Sequence, residues 1–315
     1  MRKLHASLLG LALVVSGLLI SVQTPQAQAP AGGDTPAAGQ AQGGRGGGRG
    51  GGRGAQVRQR PALLAWADTR NGQSQHAFTS HALAIVERLG YETGLWDTYI
   101  RTDSHIIYNQ AQKTDGTNAS GGPSLSNVDG IFFLVHREAP LADQQKTELA
   151  EFIRGGKGLV AAHTGLTALD SWPEFAEIIG AKYGGHPISG PGRVINERPD
   201  FPATKHFPAV FDFDDEFYLP DGLDRTKADV LLRLDTSAAG EDDVAPGTDY
   251  PLAWAKNYGQ GRVFYSSFSH SAATWDRRDV QVMYLEAIKW ALGLTDGMVQ
   301  PHAMRDAPAP EASGR

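Results

Sequence analysis

Histidines that follow strand-like segments are the residues best suited to chemistry in this 315-residue sequence. Four apolar runs are each followed by a loop that contains a histidine: His76, His136, His163 and His270. Imidazole can act as a general base, a nucleophile or a metal ligand near neutral pH. Because the carboxyl ends of parallel strands meet at one edge of a sheet, we expect these histidines to converge there.

His163 has the most informative surroundings of the four. It follows the run Gly158–Ala162 and precedes Thr164 and Gly165. A buried strand that ends in small residues and a turn is typical of the elbow that displays a catalytic side chain at the rim of an α/β sheet. We therefore predict His163 as the central acid–base residue or metal ligand. The alternative is a histidine that only caps the following helix.

The segment 213–218 places three acids between aromatic residues. Apolar neighbours raise the pKa of a carboxyl group, which suits acid–base work. We interpret Asp214 and Asp215 as a solvated acidic edge, and Glu216 and Tyr218 as the site candidates of this segment.

A turn with two glycines, Gly184 and Gly185, displays His186. A surface turn with an incidental histidine fits the same pattern.

Imidazole and carboxylate ligands suit zinc, manganese or iron, so a divalent metal is a further hypothesis. The candidate ligands are His76, His163, His186 and His270, with Glu216 as a possible carboxylate partner. None of them shows a local spacing such as H-x-x-x-H.

Strand and helix patterns alternate along the chain, and the elements that they predict must position these residues. Apolar runs predict strands at 62–67, 91–96, 130–135, 158–162, 193–196, 230–234, 252–255 and 262–268. Helical spacing predicts helices at 76–89, ending at Gly90, and at 142–154, 172–179 and 280–292. This order predicts an α/β fold with a doubly wound, mainly parallel sheet, helices on both faces and extra strands in the C-terminal half.

The first 29 residues have the three parts of a secretory signal peptide. Arg2 and Lys3 precede the apolar run Leu8–Ile20, and Ala27–Ala29 is a small-x-small cleavage site. We therefore predict a periplasmic or secreted protein with no stable membrane span after cleavage; an uncleaved N-terminal anchor is the alternative. Residues 30–60 predict a flexible Gly/Arg-rich linker, 61–294 the folded domain and 295–315 a disordered tail.

Charge is unevenly distributed along the chain. Residues 1–60 contain seven basic residues and one acid, whereas the remainder has 22 basic and 34 acidic residues. An acidic domain is a poor partner for nucleic acid. An RNA-binding role for the Gly/Arg-rich segment is the alternative, and predicted export argues against it.

The polar stretch 99–127 is long for a loop in a compact domain and is either functional or a surface insertion.

Four blocks of the sequence together resemble the ThuA-like (trehalose-utilisation) family across 63–294. The blocks are GGKGLVAAHTG, SWPEFAEIIGAKYGGHP, DDEFY and YPLAWAKNYGQGRVFYSSFSHSAATW. The resemblance implies a flavodoxin-like fold related to class I glutamine amidotransferases, and a role in metabolism of trehalose and other disaccharides through 3-keto sugars. In those amidotransferases a cysteine occupies the elbow, where this chain has His163. The chain contains no cysteine, so amidotransferase activity is not implied.

The residues and the resemblance together predict an exported enzyme that acts on a sugar or keto-sugar glycoside. The predicted catalytic residues are His163, Glu216 and His270, and the predicted substrate-binding residues are His76, His186, Tyr218 and Trp275, with Trp172 as a further stacking candidate. One alternative is a non-catalytic carbohydrate-binding or accessory protein on the same fold. Another is an ester or amide hydrolase that uses Ser266, Ser267 or Ser269.

Overall fold

The computed structural model describes residues 59–113, 115–237 and 244–306. The predicted signal peptide, nearly all of the predicted linker and residues 307–315 lie outside these ranges. Within them, no helix combines the length and the apolar character needed to cross a membrane.

Helices and strands alternate through the first half of the described chain, and strands dominate the second half. The strands are β1 (Ala62–Trp66), β2 (Asp97–Arg101), β3 (Gly130–Phe133), β4 (Gly158–Ala162), β5 (Lys182–Tyr183), β6 (Ile188–Asn196), β7 (Val210–Phe217), β8 (Pro220–Asp221), β9 (Asp229–Leu234), β10 (Pro251–Tyr258) and β11 (Gly261–Ser266). The α-helices are α1 (Thr79–Thr93), α2 (Asp143–Arg154), α3 (Pro173–Ile179), α4 (Ala272–Trp275) and α5 (Arg278–Ala291).

The main sheet has the strand order β2-β1-β3-β4-β11-β10-β9-β6-β7. The pairs from β2 to β11 are parallel, and those from β11 to β7 are antiparallel. The parallel part therefore has the 2-1-3-4-5 order of flavodoxin-like folds. This confirms the predicted α/β sheet with additional strands in its C-terminal half.

Apolar layers cover both faces of the parallel strands. Leu63 and Phe132 pack with the buried residues of α1 and α5, whereas their neighbours Leu64 and Ile131 pack with those of α2 and α3. Successive strand residues point to opposite faces, so strands that are buried on both sides are apolar at every position. Polar residues are therefore found at the carboxyl edge of the sheet, in the loops that follow the strands.

The prediction of a strand at 91–96 is wrong, because α1 continues through Gly90 to Thr93. A Cβ atom at residue 90 would lie 2.4 Å from Nε1 of the buried Trp96, so glycine is needed there for packing. The helix ends instead at Gly94, whose φ of 67° is the left-handed conformation that favours glycine. Strand β2 begins three residues later.

Strand β7 was not predicted, because its acids interrupt the apolar pattern. Phe213 and Phe217 are buried, whereas Asp214 is exposed. Strand β6 pairs with β9 only from Val194 to Asn196, while its pairing with β7 extends back to Ile188. The free end of this hairpin carries the acids of β7 to the carboxyl edge of the parallel strands.

The polar stretch 99–127 is anchored to the domain at its beginning. Ser104 donates a hydrogen bond to the buried Asp68 at the end of β1, and its carbonyl accepts one from Gln145 of α2 at 2.6 Å. Ile106 and Ile107, which belong to the same stretch, are buried. The first part of this stretch is therefore integrated into the core.

Residues 295–306, which were predicted to be part of a disordered tail, lie against the domain. The backbone N–H of Gln300 donates to the buried Asp229 at 2.8 Å, and the Arg305 guanidinium donates to the carbonyl of Glu197 at 2.6 Å. Asp229 also pairs with the buried Arg198. The tail prediction does not hold here, because polar groups of this segment form hydrogen bonds with residues of a buried ionic cluster. Sequence patterns do not reveal such a cluster.

Removing this segment is expected to destabilise the protein. A chain that ends at Thr295 loses the hydrogen bond from Gln300 to Asp229 and the one from Arg305 to the Glu197 carbonyl, and we expect its free energy of unfolding to fall by about 2–4 kcal/mol. Urea unfolding of this variant and of a control that ends at Asp306 measures the difference. Equal unfolding midpoints for the two chains would show that the segment contributes nothing to stability.

Candidate functional site

Side chains from four parts of the chain meet at the carboxyl edge of the sheet. His76 precedes α1, His163 follows β4, Glu216 is near the end of β7 and His270 follows β11. One nitrogen or oxygen of each residue lies within 4.8 Å of those of the other three. The structure thus brings together three of the four loop histidines and the acid predicted from the segment 213–218.

His163 is fully buried and fixed by two hydrogen bonds. Its Nδ1 lies 2.6 Å from the carbonyl oxygen of Ser267, and its own carbonyl accepts a hydrogen bond from the Tyr265 hydroxyl at 3.1 Å. Its φ of 33° is a strained backbone conformation for a residue with a side chain. Its ring nitrogens face the Ser267 carbonyl and His270 Nδ1, so the side chain does not cap the following turn. The elbow interpretation therefore describes its geometry, and the capping alternative does not.

Three ligand-type atoms form the centre of the cluster. His163 Nε2 lies 3.1 Å from His270 Nδ1 and 3.4 Å from Glu216 Oε2. His270 Nδ1 lies 3.0 Å from the same carboxylate oxygen. Two imidazole nitrogens and a carboxylate oxygen therefore face one point.

The pKa of Glu216 is lowered to about 2 by its hydrogen bond with His163 and by the nearby His270 and His186. We expected apolar neighbours to raise the pKa of this carboxyl group. The opposite holds because the side chain of Glu216 leaves the aromatic residues of β7 and contacts imidazole rings. Glu216 is consequently ionised at neutral pH.

Asp215 supports the cluster from beneath. Its carboxylate accepts hydrogen bonds from the backbone N–H groups of Ser269 at 2.6 Å, His270 at 3.1 Å and Glu216 at 3.0 Å. Asp215 is buried, and burial raises its pKa. The prediction of a solvated edge is correct for the exposed Asp214 and wrong for Asp215. The two differ because successive side chains of a strand point to opposite faces.

His76 and His136 form the wall beside the centre. The ring of His76 lies 4.8 Å from that of His136 and 5.1 Å from that of His270. Burial and the neighbouring histidines lower the pKa of His76 to about 4, so its ring is neutral at pH 7. His136 faces the carbonyl oxygen of Ser74 at 2.8 Å and holds the loop before α1.

Tyr218, His186 and Tyr183 lie on the other side of the centre. Tyr218 packs against the ring of His163 with centroids 4.0 Å apart. His186 Nε2 is 3.6 Å from Glu216 Oε1, and its Nδ1 is hydrogen-bonded to the Tyr183 hydroxyl. Tyr183 was missed by the sequence reasoning, although it stands three residues before His186 in the same motif.

The tryptophans predicted to stack on a sugar are not at the surface of the site. Trp275 is fully buried, stacks on Tyr284 and donates its indole N–H to the Ser269 carbonyl at 3.1 Å. Trp172 is also buried and stacks on Phe175. Trp275 is therefore a support for the loop that carries His270, because its only polar atom is used by that loop.

The serines of the hydrolase alternative are buried, and two of them accept hydrogen bonds from backbone N–H groups. Ser266 accepts a hydrogen bond from the Phe268 N–H at 3.2 Å, and Ser267 accepts one from the Tyr218 N–H at 2.8 Å. Ser269 is buried as well. None of the three presents its hydroxyl to solvent, so a serine nucleophile has no support in this structure.

The fold and the site define a flavodoxin-like α/β protein with a histidine-rich centre at the carboxyl edge of its parallel strands. A ThuA-like protein from Bacteroides uniformis has a similar structure, with a TM-score of 0.58 and 19% identity over 76% of this chain and 95% of that chain. A ThuA-like protein from Parabacteroides merdae has a TM-score of 0.55 and 18% identity over 79% and 95%.

The family model for ThuA, described as trehalose utilisation, matches residues 63–291. The chain therefore belongs to the ThuA family. No curated protein sequence matches the chain significantly. Membership confirms the resemblance seen in the sequence and supports a carbohydrate-related role.

Proposed function

We propose that this protein is a carbohydrate-active enzyme whose catalytic centre is formed by His163, His270 and Glu216. The observation that supports this proposal is the convergence of two imidazole nitrogens and one carboxylate oxygen, 3.0–3.4 Å apart, at the carboxyl edge of the sheet. Doubly wound sheets bind their ligands at this edge. Groups of these types transfer protons and bind metal ions, and they are rarely gathered for packing alone.

The surroundings of the centre favour catalysis over simple sugar binding. The aromatic residues predicted to stack on a sugar do not offer exposed faces to one. Here Trp172, Tyr218 and Trp275 are all buried. The backbone is instead strained at His163 and at Ser269, where φ is 92°. Strain of this kind concentrates at functional sites, where the surrounding structure holds it in place.

The substrate that the family assignment favours is a disaccharide of the trehalose type. A keto derivative of such a disaccharide is the further candidate that the resemblance of the sequence implies. His186 is half-exposed, and Glu216 and His270 are both partly accessible, so a substrate can approach from this side. His76 adds a neutral ring that can hydrogen-bond a hydroxyl group. We propose that the reacting sugar carbon lies over the point shared by His163, His270 and Glu216.

Export is a further part of the proposal, supported by the charged, apolar and small-residue segments of residues 1–29. The expected mature N-terminus is Pro30. Intact-mass measurement of the protein from the periplasm or the culture medium tests this. A mass that retains residues 1–29 would contradict cleavage and would support the anchor alternative.

The experiment that tests the enzymatic proposal is incubation of the purified mature protein with trehalose-type disaccharides and their keto derivatives, followed by chromatographic analysis of products. We expect turnover of at least one of them, and loss of that turnover in His163→Ala. His81→Ala is the matched control. His81 lies on α1, and its Nε2 is 2.8 Å from Asp276 Oδ1, so its partner is not a member of the cluster.

Two outcomes would contradict the proposal. Turnover that is equal in His163→Ala and wild type would place catalysis elsewhere. Binding of the sugars by the wild-type protein, measured by calorimetry, with no product after long incubation would favour the non-catalytic carbohydrate-binding alternative.

A further inference from the structure

We infer that His163, His270 and Glu216 bind one divalent transition-metal ion, such as zinc, and that His76 faces its open coordination position. This inference deepens the proposed function, because it concerns the same centre and assigns its side chains as ligands. The ligand set differs from the one predicted from the sequence, which gave His186 as a ligand and Glu216 only as a possible partner.

The separations of the three atoms agree with a common metal ion. Bonds of about 2.0–2.2 Å in tetrahedral geometry place neighbouring ligand atoms roughly 3.3–3.6 Å apart, and octahedral geometry places them about 2.8–3.1 Å apart. The observed separations are 3.1 Å between the two nitrogens, and 3.4 Å and 3.0 Å from the nitrogens to Glu216 Oε2. Two histidines and one carboxylate are a ligand set used by catalytic zinc and by non-haem iron.

The hydrogen bond at the far side of His163 prepares it as a ligand. The Ser267 carbonyl can only accept, so the proton of a neutral His163 is on Nδ1. With an ion bound, this tautomer leaves the lone pair of Nε2 free to face the ion, in place of the hydrogen bond between His163 and Glu216. A backbone carbonyl that fixes the tautomer in this way is a common feature of metal-binding histidines.

The other two ligands are also held from outside. Asp215 accepts the backbone N–H groups of both His270 and Glu216, and so fixes the two ligands relative to each other. Glu216 directs Oε2 to the centre and Oε1 towards His186, 3.6 Å away. His186 is therefore placed as a neighbour of the ligand carboxylate, which explains why it is absent from the set of four converging atoms.

His76 completes the surroundings of the centre. Within the described residues, its buried Nδ1 has no hydrogen-bond partner. The four candidate atoms span up to 4.8 Å when His76 is included, whereas the other three lie within 3.4 Å. This wider separation leaves room for a water or a substrate oxygen between His76 and the ion. When bound, a divalent ion at such a site acts as a Lewis acid and lowers the pKa of a bound water.

The same three atoms could instead share a proton, with one imidazole protonated beside Glu216. Metal analysis of the purified mature protein distinguishes the two arrangements. We expect about one zinc, iron or manganese ion per wild-type chain by mass spectrometry, an equal content in His81→Ala, and at least a tenfold lower content in His270→Ala. His270 is partly exposed, so this variant is less prone to misfold than one at the buried His163.

Thermal unfolding gives a second readout that does not depend on activity. After treatment with a chelator, added Zn²⁺ should raise the Tm of the wild-type protein and of His81→Ala, and leave that of His270→Ala unchanged. A wild-type protein that neither retains metal nor responds to Zn²⁺, Mn²⁺ or Fe²⁺ would overturn the inference. Sugar turnover by such a metal-free protein would leave the proposed function standing, whereas metal binding without turnover of any sugar would leave the metal site and contradict the function.

Discussion

Glu216→Gln is expected to lower kcat for the responsive sugar by about 10²–10⁴-fold, the range typical of a lost acid–base group. Glutamine has nearly the same shape as glutamate but no charge. It therefore removes the carboxylate that lies 3.0 Å from His270 Nδ1 and 3.4 Å from His163 Nε2. Steady-state kinetics on the purified variant measure the loss, and circular dichroism verifies that the fold is retained.

Asp214→Asn is the matched control for this substitution. It makes the same chemical change two residues earlier on β7, at an exposed position. We expect its kcat to remain within twofold of the wild-type value. If Glu216→Gln retains wild-type kcat, or if the two variants lose activity equally, Glu216 is not part of the catalytic centre.

Asp215→Ala is expected to lower the free energy of unfolding by about 3–5 kcal/mol and to abolish turnover. The substitution removes the acceptor of three backbone N–H groups, the buried one of Ser269 and the partly buried ones of His270 and Glu216. A buried donor without a partner costs about 1–3 kcal/mol, and the relief from burying a carboxylate offsets only part of the sum. The loop that carries His270 should then lose its fixed position.

Urea unfolding measures this effect, with Asp214→Ala as the control. The side chain of Asp214 is exposed, and a surface substitution of this kind usually changes stability by less than about 0.5 kcal/mol. Asp215→Asn should be intermediate, because one side-chain oxygen remains as an acceptor. An unfolding midpoint of Asp215→Ala equal to that of Asp214→Ala would show that Asp215 does not support the site.

The parallel half of the fold could be predicted from the sequence because its strands are buried on both faces. Such strands are short continuous apolar runs, as in Gly158–Ala162, and these are visible without tertiary information. The histidines that follow the runs could be predicted to converge for the same reason, since parallel strands place their carboxyl ends at one edge. The position of His163 at an elbow after β4 belongs to this part of the prediction.

The antiparallel half could not be predicted to the same extent. Strand β7 lies at the end of the sheet and alternates buried phenylalanines with acids, so its apolar pattern is short and interrupted. Its pairing with β6 carries Glu216 to the histidines, although about 50 residues separate Glu216 from both His163 and His270 in the sequence. No local spacing records a contact of this kind.

Burial also decided the roles of residues that look alike in the sequence. Asp214, Asp215 and Glu216 are consecutive acids, yet the first is exposed, the second binds backbone N–H groups and the third contacts two imidazoles. The sequence by itself determined the type of fold, the family and the histidines at the strand ends, because these follow from local apolar patterns and motifs. Only the tertiary structure decided which acid joins them and which aromatic residues lie beneath the site, because long-range strand pairing and side-chain orientation set those contacts.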